Sequence, residues 1–159
     1  MSLLSAPDRL PMRRGRVGLM DMPVKLAEIV EEFASAPRDV VLEMLLEYAD
    51  AVPALPPEHA GHAGMESVPE CQTPFFLVSE VGPDRIVQAW FDCPPESPTT
   101  RAFAGILVLG LEGASADEVL AIPGDLYHRM GLAEAISPLR VRGASAILGR
   151  LQRQIREQI

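Results

Sequence analysis

Residues 71–93 of the chain, CQTPFFLVSEVGPDRIVQAWFDC, decide the fold because they predict two adjacent β-strands. Both halves are rich in β-branched and aromatic residues, and the Val-Gly-Pro sequence at 81–83 is typical of a turn. A three-residue turn at that place predicts a hairpin in which Leu77 pairs with Val87. In this register one face of the hairpin is almost entirely apolar. Its members are Phe75, Leu77, Val87, Ala89 and Phe91.

The sequence before the hairpin predicts two helices and a loop. Apolar residues recur three and four apart in residues 23–35 and again in 38–52, which is the spacing of an amphipathic helix. Residues 53–70 are rich in proline, glycine and histidine and show no period, so they predict a long surface loop that leads to the hairpin.

The sequence after the hairpin predicts further helices. Residues 98–111 are apolar on most sides, which is typical of a buried helix, and residues 115–122 begin with a Ser-x-x-Glu capping box. Residues 137–155 predict a last helix, and we expect three of its arginines to face water: Arg150, Arg153 and Arg156. Helices packed on a small antiparallel sheet define the α+β class, which is the fold class predicted here.

Length and composition indicate one globular domain. The chain has 159 residues, of which 48% are hydrophobic. Residues 1–22 carry four arginines against two aspartates and are expected to form a flexible N-terminal extension, which leaves residues 23–159 as a single domain. The first residues lack the continuous apolar core of a signal peptide, and no stretch of about 20 apolar residues is present. We therefore expect a cytoplasmic protein.

The charge and the cysteine content exclude several classes of function. The net charge is −8, so nothing offsets repulsion by nucleic-acid phosphates or by anionic lipid, and we expect neither a nucleic acid nor a membrane as partner. Two cysteines are too few for a disulfide-stapled secreted fold.

Motifs for bound cofactors are missing from the sequence. There is no P-loop and no Gly-x-Gly-x-x-Gly after a strand, and Lys25 is the one lysine that a pyridoxal phosphate enzyme could use. His59 and His62 are three residues apart, as metal ligands can be, but they lie in the loop of residues 53–70. We expect them to be solvated loop histidines and expect no metal.

Cys71 is the candidate for chemistry. It lies where the long loop meets the first strand, and cysteine chemistry needs an accessible thiolate. A thiol with no fixed histidine partner fits a carrier better than a hydrolase, which needs a resident base and an oxyanion hole. The alternatives are core filler and one half of a disulfide, because the predicted register places Cys71 opposite Cys93.

The segment around Cys71 resembles the cysteine loop of the SufE family, the sulfur-acceptor proteins of iron–sulfur cluster assembly. The resemblance begins with ESVPECQT at residues 66–73 and continues with AGIL at 104–107, SADEV at 115–119 and LAEAISPLRVRG at 132–143. These segments follow the family's order and spacing over roughly residues 24–155.

The resemblance implies a SufE/IscU-like α+β fold and a sulfur-transfer function. A SufS-like cysteine desulfurase, which carries pyridoxal phosphate, would hand its persulfide sulfur to Cys71, and a SufB-like iron–sulfur scaffold would receive it. The chain would stimulate the desulfurase, would need no cofactor of its own and would not be a stand-alone enzyme. With Cys71 and Cys93 as its only thiols, it cannot supply the ligand set of a cluster scaffold.

The resemblance also suggests residues that bind the partner or order the loop, namely Glu70, Gln72 and Arg140. The family usually has a glycine where this chain has Glu70. A carboxylate at this position restricts the backbone and raises the pKa of the neighbouring thiol.

Two other functions stay open from the sequence. A thiol–disulfide redox protein would need both cysteines, with Cys93 as the second thiol beside Cys71. A non-catalytic adaptor that only binds the desulfurase would need neither.

Overall fold

The computed structural model describes residues 21–159, so the predicted extension of residues 1–22 lies almost wholly outside the described part of the chain. Met22 belongs to the described part, where it is 2% exposed and packs into the core. No helix among the described residues combines the length and the apolar composition needed to cross a membrane.

The first two helices form as their apolar spacing predicts. Helix α1 spans Val24–Ser35 and α2 spans Arg38–Ala49, each starting directly after a proline. The apolar stripe of α1 is buried. The predicted surface loop that follows is more ordered than expected, because it contains a 3₁₀ helix at Pro57–His62 and a two-residue strand, β1, at Glu66–Ser67.

The sheet has three antiparallel strands in the order β1-β2-β3, with β2 at Phe76–Val81 and β3 at Val87–Asp92. The hairpin is present, but the predicted register is wrong. Leu77 pairs with Phe91 rather than with Val87, and Val81 pairs with Val87.

The position of the turn explains the register. The predicted loop length of three residues is right, but the loop consists of residues 83–85. The N–H of Arg85 donates to the carbonyl of Gly82 over 2.9 Å, and Arg85 has a φ of 65°. Pro83 therefore occupies the second position of the turn, which proline favours, and a left-handed residue closes it.

Moving the turn by two residues moves every strand partner by four. Since four is an even number, each side chain stays on its predicted face. The inner face of the hairpin is accordingly the expected one, with Phe75, Leu77, Val87 and Phe91 all buried.

The remaining helices cover this sheet. Helix α3 spans Pro98–Gly110 and is buried along most of its length, and α4 spans Ala116–Leu120 behind the predicted capping box of Ser115. Two short helical segments follow, α5 at Leu126–Arg129 and a 3₁₀ helix at Leu132–Glu134. The last helix, α6, spans Pro138–Gln158. The observed architecture confirms the predicted α+β class.

Helix α6 also closes an open strand edge. Because β1 has only two residues, the rest of β2 lacks a strand neighbour on that side. The Gln154 side chain accepts hydrogen bonds from the backbone N–H and the hydroxyl of Ser79, both at 2.8 Å, and Gln158 accepts one from the N–H of Val81 at 3.0 Å. Glutamine side chains thus take the place of a longer β1 and leave these backbone donors satisfied.

Candidate functional site

Cys71 ends a 3₁₀ turn, Pro69–Cys71, in the connection between β1 and β2. Val68 donates to the carbonyl of Phe75 over 2.9 Å, which closes the base of the connection. Gln72 then reverses the chain with a φ of 60° and donates from its backbone to Pro69 over 3.2 Å. We call residues 69–74 the cysteine loop.

The glutamate that stands in place of the family's glycine is not strained. Glu70 lies inside the 3₁₀ turn, and the left-handed residue of the cysteine loop is Gln72, two positions later. The sequence alone did not indicate that Gln72 has a positive φ, because glutamine rarely adopts this backbone conformation.

The Cys71 thiol is partly buried against α6. Its Sγ donates to the backbone carbonyl of Gly143 at 3.7 Å. Beside it lies a pocket of about 90 Å³. The pocket is lined by the cysteine loop, α3 and the start of α6: Cys71, Gln72, Thr100, Phe103, Ser137, Leu139, Arg140, Gly143 and Ala144.

Burial suppresses the reactivity of this thiol. Burial is the largest cause that raises the pKa of Cys71 to about 12, and the charges of Glu70 and Cys93 raise it further, against a smaller opposing effect of Arg150. With a pKa of about 12, roughly one molecule in 10⁵ carries the thiolate at pH 7. The expected effect of the Glu70 charge on the thiol is therefore present, but it is smaller than the effect of burial.

Arg150 connects the cysteine loop to α6. Its Nη2 donates to both carboxylate oxygens of Glu70, at 2.6 and 2.9 Å, and its Nη1 donates to Glu66 of β1 at 2.9 Å. The expectation that Arg150 faces water is wrong, because its side chain is 28% exposed and is bound on two sides. The sequence offered one signal for this contact, the two glutamates at positions 66 and 70, one before the cysteine loop and one inside it.

Arg153 extends the same network. Its side chain donates to Glu66 and, at 3.0 Å, to Glu157. Burial alone would raise the pKa of Glu66, but hydrogen bonds from Arg153, Gln154 and Arg150 hold it below its usual value. The hydrogen bond from Arg150 likewise lowers the pKa of Glu70. Both carboxylates therefore carry full charge at neutral pH.

Of the residues expected to order the loop, the structure assigns that contact to Glu70. Arg140 lines the pocket beside Cys71, but within residues 21–159 its side chain has no hydrogen bond or ion pair to the cysteine loop. Its backbone N–H donates to the Ser137 hydroxyl at 3.4 Å, which caps α6. Arg140 is exposed where it lines the pocket.

Cys93 directly follows β3 and does not pair with the cysteine loop across the hairpin. It is 4% exposed, and extending the observed register by one pair places it opposite Phe75 rather than Cys71. Both cysteines are free thiols. The predicted pairing of Cys71 with Cys93 across the hairpin is therefore wrong, although the charge of Cys93 still contributes to the raised pKa of Cys71.

His62 is held by two contacts, and its side chain stays 37% exposed. Its ring stacks on Phe76 with 3.8 Å between ring centres, and its Nε2 lies 2.6 Å from an Asp92 oxygen. His59 bonds the carbonyl of Ala63 at 2.8 Å. No three histidine, cysteine, aspartate or glutamate side chains of the described chain are grouped so that they could hold a metal ion.

Comparisons with known proteins point to one family. Residues 27–155 match the model of the SufE family, described as an Fe–S metabolism associated domain. The uncharacterized SufE-like proteins MT3383 and Rv3284 of two Mycobacterium tuberculosis strains, CDC 1551 and H37Rv, are each 47% identical over 136 residues, which is 86% of this chain and 94% of theirs. The solution structure of a hypothetical protein from Thermus thermophilus is 44% identical with a TM-score of 0.77, over 86% of this chain and 97% of that one.

Proposed function

The chain belongs to the SufE family of iron–sulfur metabolism, and we propose that it is a sulfur carrier in which Cys71 accepts a sulfur atom from a cysteine desulfurase. The observation that carries this proposal is the environment of the thiol. Cys71 lies beside a pocket, and none of the described residues that line the pocket has a carboxylate or an imidazole. A thiol without a resident base suits group transfer inside a partner's active site better than hydrolysis.

The transfer step is an exchange at sulfur. The Cys71 thiolate attacks the outer sulfur of a persulfide on the desulfurase, a bond forms between Cys71 Sγ and that sulfur, and the partner's S–S bond breaks. The partner's cysteine leaves as a thiolate and takes up the proton that Cys71 lost. The transferred sulfur atom keeps its oxidation state, so the step needs no outside oxidant or reductant.

The pocket has room for the product. A volume of about 10–15 Å³ holds one water molecule, and the pocket measures about 90 Å³. One further sulfur atom on Cys71 therefore fits beside Thr100 and Phe103. Arg140, which also lines the pocket, would attract a persulfide anion.

The partners follow from this chemistry. The donor is a SufS-like desulfurase, whose pyridoxal phosphate would release sulfur from cysteine, and the receiver is a SufB-like scaffold. This chain would contribute Cys71 and the residues around it, and would bind no cofactor of its own.

Mass spectrometry of the Cys71 peptide tests the proposal. The protein is incubated with a SufS-like desulfurase, pyridoxal phosphate and cysteine, and then digested without reductant. We expect a gain of about 32 Da, one sulfur atom, on the peptide that contains Cys71. The Cys71→Ser variant should show no gain, and the Cys93→Ser variant should show the full gain.

The rate of the desulfurase in the same mixtures and the mass of the intact protein separate the two other functions. Stimulation of the desulfurase by Cys71→Ser equal to that by the wild type would replace the carrier with an adaptor. A loss of about 2 Da in the wild type, with no sulfur added, would indicate a disulfide between Cys71 and Cys93 and therefore a redox protein.

A further inference from the structure

The strongest connection between the cysteine loop and α6 is the contact of Glu70 with Arg150. Both carboxylate oxygens of Glu70 receive a charged hydrogen bond from one nitrogen of Arg150, and the other terminal nitrogen binds Glu66 at 2.9 Å. Charged hydrogen bonds are about twice as strong as neutral ones. By contrast, the Cys71 thiol bonds Gly143 at 3.7 Å, which is a weak sulfur contact.

We propose that Arg150 is a positioning residue that keeps Cys71 unreactive by holding Glu70, so that the thiol becomes accessible only when this ion pair opens. Glu70 and Cys71 are consecutive residues of one 3₁₀ turn, with α-carbons about 3.8 Å apart. While Glu70 stays bound to Arg150, the backbone that it shares with Cys71 is restrained, and so is the movement of Cys71 away from Gly143. Glu66 holds the other side of the guanidinium and fixes it between loop and sheet.

This inference concerns the free protein and does not depend on sulfur transfer. It is tested by the rate at which iodoacetamide alkylates Cys71 in the full chain, read from the Cys71 peptide by mass spectrometry. The same digest gives the alkylation of Cys93, which is 4% exposed and reports opening of the whole fold.

Arg150→Gln separates the proposed restraint from a simple effect of charge. The positive charge of Arg150 lowers the pKa of the Cys71 thiol, so its loss by itself would make less thiolate and slower alkylation. Release of the cysteine loop predicts the opposite sign. We expect alkylation of Cys71 to become about tenfold faster.

Two matched variants control for charge and for general damage to the network. Arg153→Gln removes a cation that binds Glu66 but not Glu70, and Arg142→Gln removes a cation near Glu70 that makes no ion pair with it. Both should alkylate within about twofold of the wild type. Arg150→Lys keeps the charge but loses the paired nitrogens, and its rate should fall between those of the wild type and Arg150→Gln.

The outcomes divide clearly. Faster alkylation of Cys71 in Arg150→Gln, with the alkylation of Cys93 unchanged, supports the restraint. A rate for Arg150→Gln equal to or below that of the wild type overturns it. Equal acceleration of Cys71 and Cys93 also overturns it, because the residue would then support the fold as a whole.

Discussion

Because Gly143 has no side chain, the backbone of Cys71 occupies the space beside it. A Cβ atom at residue 143 would lie 3.2 Å from the Cys71 Cα, 3.3 Å from the Glu70 carbonyl oxygen and 3.5 Å from the Cys71 Sγ. The first two distances are tighter than most contacts of a Cβ atom, and the third is an ordinary van der Waals contact. The cysteine loop can therefore rest this close to α6 because position 143 has no side chain.

Gly143→Ala should push the cysteine loop outward by a few tenths of an ångström. A short loop moves more easily than a helix of 21 residues, and we expect Cys71 to alkylate several-fold faster. Thermal unfolding should change little, because alanine favours a helix interior over glycine by about 0.5–1 kcal/mol and this gain offsets the crowding.

Gly149→Ala is the matched control for that substitution. Residue 149 belongs to the same helix, and a Cβ there would meet nothing within 4 Å. This variant should gain about 0.5–1 kcal/mol in unfolding free energy and leave the alkylation rate of Cys71 unchanged. Equal alkylation rates in the two variants would contradict the close approach at Gly143.

Arg140→Ala should affect sulfur transfer but not the resting thiol. The Arg140 side chain lies at the pocket rim and does not hold the cysteine loop, so alkylation of the free protein should stay within about twofold of the wild type. A charge at the rim of an interface changes association rates, so desulfurase-dependent persulfide formation should slow by about tenfold at low salt.

The control for Arg140→Ala is Arg156→Ala, which removes an exposed arginine near the end of α6. It should transfer sulfur at the wild-type rate. Equal slowing by both variants would indicate a general effect of net charge, and no slowing by Arg140→Ala would remove the residue from the site.

The stability of the protein should fall as the pH rises above 9. The folded state raises the pKa of Cys71 to about 12, chiefly by burial, whereas the thiol of the unfolded chain ionises near 9. The unfolded chain therefore releases a proton that the folded chain keeps, and the contribution is full below pH 9 and is lost towards pH 12. Between pH 9 and 10 we expect the unfolding free energy to fall by about 1 kcal/mol from this group.

Urea denaturation at pH 8, 9 and 10 measures that slope. Burial also raises the pKa of Cys93, so the unfolding free energy of the wild type should fall by more than Cys71 alone would cause. Cys71→Ala should be less sensitive to pH than the wild type by about 1 kcal/mol over the same unit. Parallel curves for the two proteins would show that Cys71 titrates normally in the folded state.

Gly105→Ala should destabilise the fold severely. A Cβ at residue 105 of α3 would lie 1.8 Å from the carbonyl oxygen of Tyr48, which is backbone and cannot rotate away. The two helices would have to separate, at a cost of about 3 kcal/mol or more in unfolding free energy. Gly124→Ala, where the added carbon meets nothing within 4 Å, is the control and should unfold within about 1 kcal/mol of the wild type.

Cys93→Ser should lower stability but not sulfur acceptance. Its buried hydroxyl would need a hydrogen-bond partner, so we expect a cost of about 1–3 kcal/mol. Because Cys93 does not face Cys71 in the hairpin, mild oxidation of the wild type should leave two titratable thiols. Loss of both thiols on oxidation, prevented by Cys93→Ser, would instead establish a disulfide.

Much of the fold could be predicted from local patterns. Apolar spacing located α1, α2 and α6, and alternation located the inner face of the hairpin, because these patterns depend on neighbours in sequence. The register depended on where the turn begins, which the preference of Pro83 for the second turn position decides. Strand β1 was missed because two residues are too few to show a pattern.

The candidate site, like the fold, could be predicted only in part from the sequence. Cys71 could be identified because its segment matches a family pattern over several residues. Its contact with Gly143 and the ion pair of Glu70 with Arg150 join residues 72 and 80 positions apart, and no local pattern predicts which charged residue of α6 lies under the loop. Arg140 was the expected residue, and Arg150, three turns further along the helix, makes the contact.

The dependence of the cysteine loop on α6 has a consequence for the newly made chain. Gly143, Arg150 and Gln154 are all synthesised after the sheet that they complete. At roughly 5–20 residues per second, the ribosome needs roughly 4–16 s to proceed from Cys71 to Arg150. During that interval the thiol has neither its burial nor its ion pair, so oxidants and electrophiles in the cell meet it as an ordinary cysteine. The nascent chain is therefore the form in which Cys71 is most easily damaged.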